Sequence, residues 1–165
     1  MAAAIAGLSS VVASGWRSDR RLREAALLAG GVAAAAGVLD DLGGSGSARG
    51  FRGHAGELRR GNLTTGAVKF AAIGGAGLAA GWRLADGGAG RRLAAGAVVA
   101  ASANLVNLLD LRPGRALKAV LAVATPVAVS RGRGSSVAAI AAGVAAGTIG
   151  SDLRERTMLG DGGAN

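Results

Sequence analysis

The chain of 165 residues contains no cysteine and no tyrosine, only two prolines, two tryptophans and two phenylalanines, and a single histidine. Without cysteine there is no disulfide scaffold, no thiolate metal site and no cysteine nucleophile. Aromatics at 2% leave almost no rings on which bases could stack. Nucleic acid is therefore not the expected partner, although 19 Lys and Arg against 10 Asp and Glu give a net charge of +9. The arginines also lie between apolar blocks instead of forming one cluster. Carboxylates are scarce, so the few present invite attention.

What the chain has in abundance is small apolar residues. Its 40 alanines and 30 glycines exceed two fifths of the sequence, half of the residues are hydrophobic, and mean hydropathy is +0.39. A disordered basic tail is excluded by that apolar content. The length favours a single domain, spanning residues 1–165.

Charges divide the sequence into six apolar blocks, at residues 1–15, 25–39, 64–85, 93–109, 116–130 and 135–150. None carries a clear polar stripe at helical period. Helices apolar all round belong in a core or a bilayer, and six cannot all be central in so short a chain. The expected fold is an all-α polytopic membrane bundle of five to six transmembrane helices. Most blocks reach only about 22 to 26 Å as helix. Snorkelling Arg and Lys or a thinned bilayer must close the gap to a core of about 30 Å. Gly77 and Gly81 set small residues at the four-residue spacing that lets two helix backbones approach closely. The first block lacks the basic start of a signal peptide and is read as a helix.

One crossing per block assigns the loops to two faces. Residues 40–63, 110–115 and 151–165 share one; residues 16–24, 82–92 and 131–134 share the other. With Lys69 and Lys118 counted on the first face, ten cations stand against nine, so charge does not orient the chain. Trp16 and Trp82 fall at the same interface, as aromatic anchors do.

The first face collects the unusual polar residues: Asp40, Asp41, Asn107, Asp110 and Asp161, with Lys69 near the start of the third block. Acidic residues at membrane helix ends are costly unless paired or functional. Mg²⁺ takes one or two carboxylates together with substrate phosphates, so this set suits a diphosphate held at the membrane surface. Each residue also has a plainer reading. The Asp pair before Gly-Gly makes a solvated cap, Lys69 snorkels to water, Asn104 and Asn107 join helices by hydrogen bonds, and His54 is a loop residue.

The strings GVLDDLGG, GFRGHAGELRRGNLTTGAVKF, NLVNLLDLRPGR and MLGDGGAN occur in that order. Together they resemble the polyprenyl-phosphate N-acetylhexosamine-1-phosphate transferases, multi-pass enzymes of the inner (plasma) membrane. The resemblance covers the chain from about Gly37 onward. It implies Mg²⁺-dependent transfer of a sugar 1-phosphate from a UDP-sugar to polyprenyl phosphate at the cytoplasmic face, initiating a cell-wall or surface glycan. The family's Asp-Asp pair falls on Asp40 and Asp41, and its lysine on Lys69. Its Asn-x-x-Asp-Gly-x-Asp-Gly signature falls on Asn107 and Asp110. Its Gly-Asp-x-Gly signature falls on Gly160, Asp161 and Gly163. By that correspondence Asp161 ligates the metal, Asp40 or Asp41 positions or deprotonates the acceptor, and Lys69, Asn107 and Asp110 bind substrate.

Two departures accompany the match. Leu111 and Pro113 replace the first glycine and the second aspartate of the Asn-x-x-Asp signature, and the family continues with further helices and a histidine-bearing loop beyond the position of Asn165. The expectation is therefore a partial transferase core or a reduced relative. The alternatives are a non-catalytic membrane protein that binds lipid-linked precursors or serves in assembly, and a ligand-free bundle. A homodimer stays open.

Overall fold

The computed structural model describes residues 19–43, 56–57, 59–62, 64–130, 132–156 and 163–164, with side chains of the first segment described through Leu39. Five main helices account for most of these: α1 (Arg20–Gly43), α2 (Thr65–Leu84), α3 (Ala89–Leu109), α4 (Arg115–Val129) and α5 (Ser135–Asp152). No strand occurs among the described residues. Each of the second to sixth apolar blocks is thus a helix, and the first block lies outside the described residues.

Local chemistry sets the helix ends. Asp19 opens α1 by accepting the Arg21 backbone N–H at 2.9 Å, and Thr64 opens α2 by accepting the Ala67 N–H at 3.2 Å; both satisfy donors that a helix start leaves unpaired. Gly114, at φ +72°, supplies the left-handed residue that turns the chain into α4. The helices outrun several blocks, because Arg20, Arg21, Arg23, Arg91 and Arg92 are charged yet good helix formers.

Consecutive helices pack antiparallel, α2 between α1 and α3, with α4 and α5 forming a second hairpin. Glu24 of α1 accepts a hydrogen bond from Arg83 of α2 at 2.9 Å, and Arg21 meets Asp86 at 3.4 Å. The turn between α4 and α5 joins this end of the molecule through the ion pair of Arg133 with Asp19. The described parts of the loops 16–24, 82–92 and 131–134 therefore do share a face, as the alternation of blocks predicts.

Packing is inverted relative to an ordinary core. The buried apolar residues are Ile73, Leu117 and eight alanines, and no large side chain is fully buried among the described residues. Large apolar side chains point outward instead: Leu39 is 67% exposed, Val98 65%, Val123 70% and Val129 73%. Along the α2–α3 seam the backbones nearly touch. A Cβ on Gly81 would overlap the Gly96 backbone, and one on Gly77 would come within 2.9 Å of Ala100 and the Gly96 carbonyl. The close approach expected at Gly77 and Gly81 is present.

By length and composition, α1 over Arg20–Leu39 and α3 over Ala89–Leu109 are apolar enough to cross a bilayer. At 15 residues α4 reaches only about 22 Å.

Candidate functional site

Antiparallel register fixes the level of each candidate residue along the bundle. Gly77 lies against Ala100 and Gly81 against Gly96. Continuing that pairing toward the start of α2 sets Lys69 level with the last turn of α3, beside the level of Asn107. On the other side, Glu24 pairs with Arg83 and Arg21 with Asp86. The same count along α1 sets Asp40 and Asp41 level with the first turn of α2. Asp110, immediately after α3, falls at that level too. At a rise of 1.5 Å per residue, these positions span about one turn along the axis.

Lys69 belongs to the buried stripe of α2, with Gly66, Ile73, Ala76, Gly77, Ala80 and Gly81. It is 6% exposed, so the reading in which it snorkels freely to water is corrected. Asn107 continues the α3 stripe that begins at Gly96 and Ala100, and is half-buried, as is Asp110. Asp40 and Asp41 are helical in backbone, but their side chains lie outside the described residues. Asp161, its flanking Gly160, and His54 also lie outside them. Among the described residues, no three His, Asp or Glu side chains are grouped to hold a metal ion. The donor set proposed from sequence is nonetheless all oxygen, as Mg²⁺ requires.

The segment ahead of α2 is held by local bonds. Glu57 accepts from the Asn62 amide at 2.9 Å and from Arg60 at 2.9 Å. The Asn62 hydrogen bond, then Arg60, keep the Glu57 carboxyl below the usual carboxylate range. Arg60 is thus engaged locally, and Arg59 is exposed.

Between α3 and α4 the chain makes a tight turn through Asp110, Leu111, Arg112, Pro113 and Gly114. The Gly114 N–H donates to Asp152 Oδ2 at 2.6 Å, where Asp152 is 6% exposed. This bond docks the end of α5 on the start of α4, and a Cβ at Gly114 would strike Leu153. The turn where the resembled family carries its second aspartate therefore holds Pro113 and is pinned by a carboxylate from α5. The structural part of Asp152 gave no signal in the sequence beyond its place at the end of an apolar block.

At the opposite end, a cleft of about 310 Å³ is lined by Arg21, Glu24, Trp82, Arg83, Asp86 and Arg92, together with Ala85. The Arg92 guanidinium lies 5.2 Å from the centre of the Trp82 ring. From sequence Trp82 reads only as an interfacial anchor; the nearby Arg83, Arg91 and Arg92 were the available signal for more.

Comparison with known proteins finds no match: no family model, curated protein or solved structure aligns significantly with this chain. The functional reading rests on the chain's own residues and on the motif resemblance they carry.

Proposed function

We propose that this chain is a multi-pass membrane bundle that holds phosphate-bearing substrates at the end formed by Asp40, Asp41, Lys69, Asn107 and Asp110, and serves sugar 1-phosphate transfer from a UDP-sugar to polyprenyl phosphate. The observation that carries the reading is the common level of these five residues along the bundle, inferred from the Gly77–Ala100 and Glu24–Arg83 pairings. The membrane part draws support from the outward-facing Leu and Val side chains over an alanine interior. In water those side chains leave apolar surface unburied, whereas lipid contacts it at no such cost.

In this reading Lys69 neutralises phosphate charge, and its burial strengthens that attraction relative to a solvated lysine. Asp40 or Asp41 orients the acceptor phosphate and holds or takes its proton, while Asn107 and Asp110 hold the uridine or sugar side. Asp161 and its neighbours would hold Mg²⁺, which when bound supplies positive charge to the diphosphate. Positioning and charge neutralisation account for most of the effect in phosphoryl transfer. The acceptor oxygen bonds the β-phosphorus, the bond to UMP breaks, and UMP leaves.

A second reading, binding of lipid-linked precursors without turnover, is favoured by one feature. Pro113 stands in the turn pinned by Asp152, so that turn contributes Asp110 as its single carboxylate. Incubating the full chain in detergent with UDP-N-acetylglucosamine, polyprenyl phosphate and Mg²⁺ separates the two. The transferase reading expects UMP release that falls at least about a hundredfold in Asp161→Asn, the scale of losing a charge-stabilising group. Retention of polyprenyl phosphate without UMP release supports the second reading, and neither activity overturns both.

A further inference from the structure

The cleft at the opposite end is a different kind of place. Over residues 19–24, 82–92 and 132–134 the described chain has seven arginines against Asp19, Glu24 and Asp86. Those carboxylates are taken: Asp19 pairs with Arg133, Glu24 with Arg20 at 2.8 Å and Arg83 at 2.9 Å, and Asp86 with Arg21 at 3.4 Å. Arg92 is left facing Trp82, and its Nε is buried with no hydrogen-bond acceptor among the described residues. A buried N–H without an acceptor is destabilising.

The start of α3 adds a second feature of the same sign. Gly88 precedes the helix without a side-chain cap, and the first turn carries Arg91 and Arg92 with no acidic residue. The macrodipole at a helix start favours anions and disfavours cations there. Of that first turn Arg92 lines the cleft, so an anion there would meet its guanidinium. At about 310 Å³ the cleft is at the small end of ligand sites, adequate for a phosphate group and a few attached atoms.

The geometry points to a phosphate-binding site in this cleft, with Arg92 as the principal donor and Arg21 and Arg83 at its rim, taking either the phosphodiester of an anionic lipid headgroup or a free phosphate. The lipid arm rests on the membrane reading, because the cleft then lies at one lipid–water interface, where Trp82 belongs. The free-phosphate arm does not.

Trp82 provides the readout. In the full-length chain carrying Trp16→Phe, it is the sole tryptophan, and its emission is followed during titration with short-chain phosphatidylglycerol, phosphatidylcholine or sodium phosphate. The expected result is a saturable change with phosphatidylglycerol, with sodium phosphate, or with both, and none with phosphatidylcholine. Response to the lipid alone assigns a headgroup; response to sodium phosphate assigns the free anion. Arg92→Gln should raise the half-saturating concentration about tenfold or more, as loss of a charged hydrogen bond does. Arg91→Gln, outside the cleft lining, should change it by less than about threefold. Should Arg92→Gln lose helicity by circular dichroism, the exposed Arg21→Gln replaces it, with weaker binding expected. No saturable change, or the same change with phosphatidylcholine, overturns the site. Flotation of the chain on phosphatidylcholine vesicles tests the membrane reading independently of this result.

Discussion

Gly114 and Asp152 show how much a single contact between helix ends can decide. At φ +72° a side chain at position 114 would be strained by roughly 1–2 kcal/mol, and its Cβ would also meet Leu153. Gly114→Ala is therefore expected to lower the stability of the α4–α5 hairpin by at least that amount, read as a reduced melting temperature in detergent. Asp152→Ala should cost about 1–3 kcal/mol by orphaning the Gly114 N–H, whereas Asp152→Asn retains an acceptor and should cost less. Equal losses for the alanine and asparagine variants would count against the bond as the stabilising feature. The sequence does not disclose this partnership, because the two residues are 38 positions apart and Asp152 belongs to no motif, while Gly114 falls on the last glycine of the Asn-x-x-Asp signature. Lys69 was harder still: a lysine early in an apolar helix reads as a snorkelling cation until the buried stripe of α2 is seen.

Among the elements, α2 carries the sharpest contrast. Gly81 faces the backbone of α3, so Gly81→Ala must push the helices apart, at about 1–3 kcal/mol by analogy with overpacked cores. Gly74 and Gly75, on the same helix, have nothing within 4 Å of the place an added methyl group would occupy. Gly74→Ala should stabilise α2 by up to about 1 kcal/mol through helix propensity. Thermal unfolding of the two variants side by side checks the sign of each. Here the sequence was informative. Gly77 and Gly81 at four-residue spacing announced the seam, and of the six apolar blocks the second to sixth are helices, the first lying outside the described residues. The ends were less legible, since Arg20, Arg21 and Arg23 extend α1 backward through residues that charge alone assigns to a loop. The membrane count is likewise coarser than the block count: α1 and α3 meet the length and apolarity of a span. α4 is short, and α2 carries Lys69 and Arg83.

For the whole molecule, the ion pair of Asp19 with Arg133 connects the start of α1 to the α4–α5 turn. The Arg133 hydrogen bond, followed by the Arg21 backbone N–H, holds the Asp19 carboxyl below its ordinary value. A depressed carboxyl stabilises the fold at pH values above its unfolded pKa, near 3.9, and loses that contribution as pH falls through the lower folded value. Asp19→Asn should thus lower the melting temperature at neutral pH, and the gap from the parent chain should shrink toward zero in acid. A gap that persists unchanged once the pH lies below the depressed folded value would point to a cause other than this charge, since the carboxyl is then protonated in both the folded and the unfolded chain. The common level along the bundle axis of the Asp40 and Asp41 backbone with Lys69, Asn107 and Asp110 also belongs to this scale. It was legible because block alternation fixes sides, while the cleft at the far end was not, because it depends on which arginines the described carboxylates engage.

The alanine-filled interior has a practical corollary for anyone who purifies this chain. With Leu and Val on the outside and mostly alanine, beside Ile73 and Leu117, between the helices, the proposed membrane setting makes cohesion depend on the surrounding amphiphile as much as on internal contacts. A detergent with a short or poorly packing tail would let the α4–α5 hairpin part from the other three helices while each keeps its helicity. Secondary-structure spectra would then look intact in preparations whose helix-to-helix geometry had already been lost.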